Sequence, residues 1–405
     1  MNKSINRLLF VLAIYSLAIG IYYNFLELWM AGNNLSIKTI SIILSLCSVL
    51  SVSIIFLCSN LVKKSKLKKF IIGLMISKFL IMLVLYFLNG TGLNVLIKFL
   101  VMLDYMVNVE AVLSFYPLIS LIKKDDKLYA RKDLIYALFY YIGVLVTNLL
   151  LGKSLGSVVI SYNSYLLISA SLILISLLFI KNVNVDVDND EVDESYDLDA
   201  LKIVVKKVWK DKISKVYLLF LVFGQISYRI LFGMGLTVLM KGFSLDAVDA
   251  SNITLATGIG SAVLGFIVLS FLTFKNDYIN LSIKYLIRVI LFFIGVFTTN
   301  KILLVIAILY PLIISQSYSH ITDAPYINRF DADFQLTFCN LREMVRYLGE
   351  AIGIFICGFA IVKGLKYNFM FAGLFGFLQL AFSFYALYLR KKEVRKWLEI
   401  VGMML

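Results

Sequence analysis

The chain has 405 residues, of which 61% are apolar and 16% charged, with a mean hydropathy of +0.90 and a formal net charge of +14. Ordinary soluble domains are about half apolar and a quarter charged, so this composition argues against a soluble domain and indicates a protein embedded in lipid. One histidine and four cysteines without ligand-like spacing argue against a metal centre or another cofactor. The basic residues lie in short connections between apolar runs, which is typical of membrane topology and argues against nucleic-acid binding.

Twelve apolar runs follow one another, each about as long as the roughly 20 residues that a transmembrane helix needs. The sequence predicts an all-α integral membrane protein with spans at 8–31, 39–62, 70–89, 94–121, 133–152, 158–180, 214–240, 250–274, 279–299, 301–320, 338–362 and 368–389. The first run follows Lys3 and Arg7, as in a signal peptide, but it continues past Trp29 without a clear cleavage site. We therefore expect an uncleaved first span.

The lysines and arginines between the spans predict the orientation. Twenty-eight of the 39 lie on the side of the two termini, seven lie on the opposite side, and Lys78, Arg229, Arg288 and Arg346 lie within spans. Because cytoplasmic loops of membrane proteins carry the excess of basic residues, we predict a cell-membrane protein with both termini in the cytoplasm.

The longest connection divides the chain into two halves. It begins with an acidic stretch, Asp186–Asp199, interpreted as a solvated linker, and continues into LKIVVKKVWKDK. In this second part Leu201, Val204, Val205, Val208 and Trp209 share one helical face and lysines occupy the other, as in helices that lie in the membrane interface. The predicted division is a six-helix bundle at 1–180, a cytoplasmic linker at 181–213, a second six-helix bundle at 214–389 and a basic tail at 390–405.

Short matches between the halves suggest a duplicated six-helix unit, as secondary transporters often have. They pair Leu26, Met30, Gly32 and Leu35 with Leu236, Met240, Gly242 and Leu245, Tyr116–Ile119 with Tyr310–Ile313, and Gly143 and Gly152 with Gly349 and Gly358.

Six plus six spans, a long central loop and an interfacial helix before the seventh span resemble the major facilitator superfamily. The loop after span two, Ser59–Lys69, keeps the leucine and several basic positions of that family's motif, but it lacks both glycines and has Lys63 in place of the aspartate. In span five, Gly143, Gly152 and Gly156 match the first part of the family's antiporter motif. The resemblance favours export by exchange, with helix packing alone as the other interpretation of these glycines.

Polar residues are concentrated in spans one, four, seven and ten. A charge within a span is costly unless it is paired or hydrated, so such residues are functional candidates. The resemblance implies that these spans line a central cavity. The candidates are Tyr22, Tyr23, Asn24, Glu27, Asp104, Asn108, Glu110, Gln225, Tyr228, Arg229 and Gln316.

Carboxylates in the spans are the candidates for proton coupling. Asp104 lies ten residues from the outer end of span four, at a depth of about 15 Å, near the bilayer centre. We expect Asp104 or Glu110 either to load and release protons or to pair with a buried cation such as Arg229. Glu27 lies nearer the outer surface, where we expect it to be hydrated.

Charges on span eleven have the spacing of helical ion pairs. Arg346 lies three residues after Glu343 and four before Glu350, so it can meet either carboxylate. Arg346 and Glu350 are predicted to form either a gate, with Glu350 as a further proton-coupling candidate, or a static ion-pair ladder. For Lys78 and Arg288 the expectation is snorkelling or local pairing.

Enzyme motifs fail on inspection. The Gly152-Lys153-Ser154 string lacks the first glycine of a phosphate-binding loop, since residue 147 is threonine. As a hydrolase nucleophile, Ser154 would lie a bilayer away from His320.

The leading hypothesis is a monomeric secondary transporter of a small amphiphilic or zwitterionic solute. It would work by alternating access, be driven by protons, and favour efflux. The alternatives are a non-transporting sensor or scaffold on a transporter frame and a lipid or lysolipid flippase.

Overall fold

The structure is a computed structural model that describes residues 3–61, 66–89, 91, 94–122, 126–150, 155–183, 198–271, 277–300, 302–311, 330 and 332–402. Helices account for most of these residues, and no strand occurs among them. The first half comprises α1 (Lys3–Tyr23), α2 (Leu26–Gly32), α3 (Ile37–Leu61), α4 (Leu67–Leu88), α5 (Asn94–Ile122), α6 (Asp126–Leu150) and α7 (Leu155–Lys181). The second comprises α8 (Leu198–Lys210), α9 (Lys212–Phe232), α10 (Gly235–Phe243), α11 (Ala247–Phe271), α12 (Asp277–Phe297), α13 (Ile302–Pro311), α14 (Ala332–Lys363) and α15 (Leu365–Gly402).

Seven of the described helices are long and apolar enough to cross a membrane by length and composition. The helices α5, α6, α11 and α12 have 29, 25, 25 and 21 residues, which is also sufficient to span the hydrocarbon core. The chain is a multi-pass membrane protein. The helix α8 forms as an amphipathic helix; of its predicted apolar face, Val204 and Val208 are buried against the protein, whereas Val205 and Trp209 are exposed.

The first and seventh predicted spans are both interrupted. Span one breaks between α1 and α2, and span seven breaks between α9 and α10 at Gly233 and Met234. We call the side at which α2 and α10 end the far side, and the side at which α1 begins the terminal side.

The two halves repeat with nearly the same offset throughout, between 206 and 210 positions. The helix α11 begins and ends 210 positions after α3, and α14 begins 206 positions after α6. Asn34 and Ser244, also 210 positions apart, are the two described non-glycine residues with positive φ, at 63° and 56°. A left-handed backbone is uncommon for such residues, so its recurrence at the same place indicates a duplicated unit.

One of the sequence matches does not belong to this repeat. Tyr116 lies near the end of α5, whereas Tyr310 lies within the helix that begins at Ile302 and therefore much earlier in its own span. The Tyr-Pro-Leu-Ile match was wrong as a sign of duplication, because short apolar strings recur by chance in so apolar a chain.

Contacts between the halves follow the same symmetry. The helix α3 packs against α14, and α11 packs against α6. On the far-side third of α3, Ser41 Oγ donates to the Ile354 carbonyl and Ser45 Oγ to the Ala351 carbonyl, each at 2.8 Å. Small residues here let two helix backbones approach closely.

Of the three glycines of the antiporter motif, Gly143 is the one whose surroundings the structure describes, and it packs closely against α1. An ideal Cβ at this position would lie 2.5 Å from the Leu17 carbonyl oxygen and 2.9 Å from Ile21 N, both on α1. We expect Gly143→Ala to force α1 and α6 apart and to destabilise the protein by about 1–3 kcal/mol.

Gly73 provides the matched control, because an added Cβ there meets nothing within 4 Å. Gly73→Ala should be neutral or stabilising by up to about 1 kcal/mol, since alanine is the better helix former. The apparent melting temperatures of the purified variants test both expectations. Equal melting temperatures for Gly143→Ala and Gly73→Ala would contradict the packing role of Gly143.

Candidate functional site

A buried ion pair lies inside the first half of the chain. Lys78 Nζ on α4 lies 2.7 Å from Asp104 Oδ2 on α5, and both side chains are almost fully buried. The Tyr22 hydroxyl on α1 donates to the same carboxylate oxygen at 2.6 Å and also contacts Lys78 Nζ. The described partners of this group all come from the first half.

This pairing corrects one expectation for Asp104. Asp104 pairs with a buried cation, as one of its two expectations had it, but the cation is Lys78 and not Arg229, the example given; Lys78 thus pairs locally within the bundle and does not snorkel to the surface. Asp104 Oδ1 is buried and has no hydrogen-bond partner among the described residues. Removing either partner of such a pair would leave an uncompensated buried charge, which is costly.

A second carboxylate joins the two halves. Glu350 on α14 is 1% exposed. The Tyr105 hydroxyl on α5 donates to Glu350 Oε1 at 2.6 Å, and Arg229 Nη2 on α9 lies 2.7 Å from Glu350 Oε2. Tyr105 belongs to the first half and Arg229 to the second. Hydrogen bonds to a charged group are the stronger ones, so this contact is a substantial tie between the halves.

Sequence neighbours on α1 and on α5 connect the two carboxylate sites. Successive residues on an α-helix point about 100° apart. Asp104 therefore faces Lys78 inside the first half, while Tyr105 faces Glu350 across the interface. In the same way Tyr22 reaches Asp104, while the Tyr23 ring lies 5.8 Å from the Tyr105 ring.

The predicted static ion-pair ladder through Arg346 and Glu350 was wrong, because these two described residues do not pair in this structure. Arg346 Nη2 lies 2.9 Å from Glu343 Oε2, and Arg342 Nη2 lies 2.6 Å from Glu343 Oε1. The i,i+3 pair on α14 therefore forms, whereas Glu350 takes its partners from α5 and α9. Arg346 remains on the same helix one turn closer to the terminal side.

Glu27 is buried, which corrects the expectation that it is hydrated. Its side chain is 8% exposed, and its Oε1 accepts from the backbone N–H groups of Leu236 at 2.7 Å and Thr237 at 3.2 Å. The Thr237 hydroxyl donates to Oε2 at 3.0 Å. A carboxylate is stabilised at a helix N-terminus by the free N–H groups and the helix dipole, so Glu27 of α2 caps α10 in the other half.

The remaining described candidates lie around these groups. Asn108 Oδ1 accepts from the Tyr15 hydroxyl at 3.1 Å, inside the first half, and Asn24 Nδ2 donates to Ser251 Oγ at 3.2 Å, across the interface. Tyr228 lies beneath the Arg229 guanidinium, 5.7 Å from it. Gln225 packs against Gly349 of α14. Gly156 lies in the first turn of α7. The Glu110 side chain, Gly152 and Gln316 lie outside what the structure describes.

Two residues of the site were absent from the sequence-derived candidates. Tyr105 was missed, although it follows Asp104 directly and sits at the same depth. Thr237 was also missed, although it stands 210 positions after Glu27 and is its counterpart in the repeat.

Comparison with known proteins gives matches at the level of structure. No protein-family model matches the sequence, and no curated protein sequence matches it. The structure is similar to that of a variant of the Escherichia coli fucose:proton symporter FucP, with a TM-score of 0.65 and 12% identity over 94% of this chain and 98% of that one. It is similar to the nucleoside transporter NupG, with a TM-score of 0.67 and 13% identity over 96% and 100% of the two chains. It is also similar to the human organic anion transporter MFSD10, with a TM-score of 0.65 and 12% identity over 95% and 100%.

Proposed function

Because the chain has the twelve-helix fold of the major facilitator superfamily, we propose that it is a secondary active transporter that moves a small solute by alternating access. The observation that carries this proposal is the Tyr105–Glu350–Arg229 contact, a buried charged group shared between halves near the middle of the spans. A scaffold has no need of such a group, since a charge at this depth is expensive to bury. The structural neighbours are named as transporters, which agrees with the proposal.

In the proposed cycle, 1–180 and 214–389 rock against each other, with 181–213 as the cytoplasmic linker and 390–405 as a cytoplasmic tail. The termini lie in the cytoplasm of a cell-membrane protein, so the far side is outside. The ties of Glu27 to Thr237, Asn24 to Ser251 and Ser41 to Ile354 all lie towards the far side. These ties would hold the outside closed and would break when the transporter opens outwards.

Proton coupling is assigned to Glu350 in this proposal. Its Tyr105 partner comes from the other half, so a rocking motion removes that hydrogen bond from the carboxylate, whereas Arg229 moves with Glu350. Asp104 keeps Lys78 and Tyr22, both from its own half, so its charge stays compensated in either state. A group can couple protonation to conformation only if its surroundings differ between the two states. Glu350 meets that condition on the contacts described, and Asp104 does not.

Efflux by antiport is the proposed direction, supported by the glycine pattern of span five. Gly143 brings the backbones of α1 and α6 into close contact, as a motif that packs helices requires. The protein is proposed to act as a monomer.

The test is solute-driven proton movement in proteoliposomes that contain the purified protein and an entrapped pH-sensitive dye. The panel contains fucose, xylose, nucleosides, organic anions, amino acids and amphiphilic drugs. We expect one class to change the internal pH, and Glu350→Gln to reduce this proton movement at least tenfold. A proton flux opposite to the solute flux indicates antiport, and a flux in the same direction indicates symport.

Glu343→Gln is the matched control, because Glu343 is a buried carboxylate on the same helix whose described ion pairs all lie within α14. It should retain coupled transport. If folded wild-type protein moves no member of the panel, the transport proposal fails in favour of a non-transporting protein or a lipid flippase. Full coupling in Glu350→Gln would overturn the assignment of Glu350 alone.

A further inference from the structure

Arg288 is a buried cation in the second half. It lies near the middle of α12 and is 5% exposed. Its Nη2 donates to Ser227 Oγ at 2.8 Å and to the Gly224 carbonyl at 3.3 Å, both on α9. Its Nε is buried and has no hydrogen-bond partner among the described residues. In the part of the chain that the structure describes, no carboxylate pairs with this guanidinium.

Lys78 occupies the equivalent place in the first half. The helix α12 begins 210 positions after α4, and Arg288 follows Lys78 by the same 210 positions. Each cation also contacts the first membrane span of its own half, Lys78 at Tyr22 of α1 and Arg288 at Ser227 of α9. The duplication therefore places one buried cation in each half. In the first half Asp104 neutralises it.

Around Arg288 the structure describes aromatic rings, an amide and one further cation, Lys284, which lies one turn earlier on α12 and repels the guanidinium. The Tyr285 and Phe292 rings lie 5.9 Å and 5.3 Å from the guanidinium carbon. Gln379 on α15 is 4% exposed, packs against Gly224, and has an Oε1 atom without a described partner. Cation–π contacts are weak compared with the cost of burying an unpaired charge, so the two rings offset only part of that cost.

We infer that Arg288 binds a small monovalent anion inside the second half, where the first half has the Asp104 carboxylate. Two sources share this chemistry, a chloride ion and the carboxylate of an organic solute. Ser227 adjoins Tyr228, which contacts Arg229 of the central site, so the anion would lie directly behind that site. If the anion is a carboxylate, the proposed transporter carries an anionic solute. This identification of the solute rests on the proposed function, whereas anion binding at Arg288 does not.

The experiment measures the melting temperature of the purified full-length protein in detergent during titration with sodium chloride, sodium acetate or sodium benzoate. Sodium sulfate keeps the ionic strength constant. It is chosen because a large, strongly hydrated dianion does not suit a site for a small monovalent anion. A ligand that binds the folded state alone stabilises it by mass action. We expect a saturable rise of about 2–4 °C with chloride or with a carboxylate, and no such rise in Arg288→Gln.

Gln379→Glu is the second variant, and it tests the site while Arg288 stays in place. The change is isosteric and places a carboxylate in the same cluster, where it would neutralise Arg288 and abolish the response to added anions. Lys363→Gln is the control, since it removes an exposed charge at the end of α14 and should keep the wild-type response.

A wild-type response to chloride alone would assign a resident inorganic ion, and a response to acetate or benzoate would assign a carboxylate group. The inference is overturned if wild type responds to none of the three anions, or if Gln379→Glu or folded Arg288→Gln responds like wild type. The melting-temperature experiment does not measure transport. A failed transport assay together with an intact response to anions would therefore contradict the proposed function but not the anion site at Arg288.

Discussion

Lys78→Met is expected to destabilise the folded protein by about 3–5 kcal/mol, which is the cost of removing one partner of a buried ion pair. The substitution leaves Asp104 buried at 1% exposure with the Tyr22 hydroxyl as its described donor. Asp104→Asn should cost a similar amount, because it leaves the Lys78 ammonium without its counter-ion. Chemical unfolding of the purified variants in mixed micelles measures these costs.

The double variant Lys78→Met/Asp104→Asn separates pairing from packing. If the two charges compensate each other, the double variant should lose less stability than the sum of the single variants, with a coupling of about 0.5–3 kcal/mol. Lys69→Met, an exposed lysine of the same helix, should stay within about 0.5 kcal/mol of wild type. Strict additivity in the cycle would show that the pair does not act as a unit.

Glu27→Ala is expected to shift the protein towards a state that is open on the far side. The substitution removes three hydrogen bonds from Leu236 and Thr237 to a carboxylate. Each hydrogen bond to a charged group is worth about 1.5–3 kcal/mol, and every 1.4 kcal/mol changes a population ratio tenfold. The loss should therefore change the ratio of far-side-open to far-side-closed molecules by at least about tenfold.

Spin-label distances across the far side measure this shift. Labels are introduced at Thr91 in the first half and Lys363 in the second, both exposed, after the four native cysteines are replaced by serine. Asp246→Ala is the matched control, because Asp246 caps α11 within the second half, accepting from Asp249 N at 2.8 Å, and does not join the halves. An identical distance distribution in Glu27→Ala and wild type would contradict a closing role for Glu27.

The two experiments distinguish two kinds of buried carboxylate. Asp104 pairs inside one half, so its loss should mainly lower stability. Glu27 pairs between halves, so its loss should mainly change which state is populated, at a smaller cost in unfolding free energy. Glu350 has one partner of each kind, Arg229 in its own half and Tyr105 in the other, and both effects are expected for it.

The sequence alone determined the membrane-embedded, two-half, twelve-helix fold, and the comparisons confirm it. It could do so because the thickness of the bilayer sets the length of each apolar run, and because duplication left recurring residues such as Met30 and Met240. The amphipathic helix α8 also followed from local periodicity. The Glu343–Arg346 pair was likewise readable, since residues three apart on a helix are neighbours.

Which charges meet between helices was decided by the tertiary structure. Local spacing allowed Arg346 to meet Glu350, but Arg229, 121 positions away, takes that carboxylate. Depth along the chain placed Glu27 near water, whereas the break between α1 and α2 packs it against the start of α10. Lys78 and Asp104 stand on different helices, and nothing in their spacing pairs them. Helix length and amphipathicity are properties of a local segment, but a buried charge is neutralised by whichever group the packing of the helices brings within about 3 Å of it.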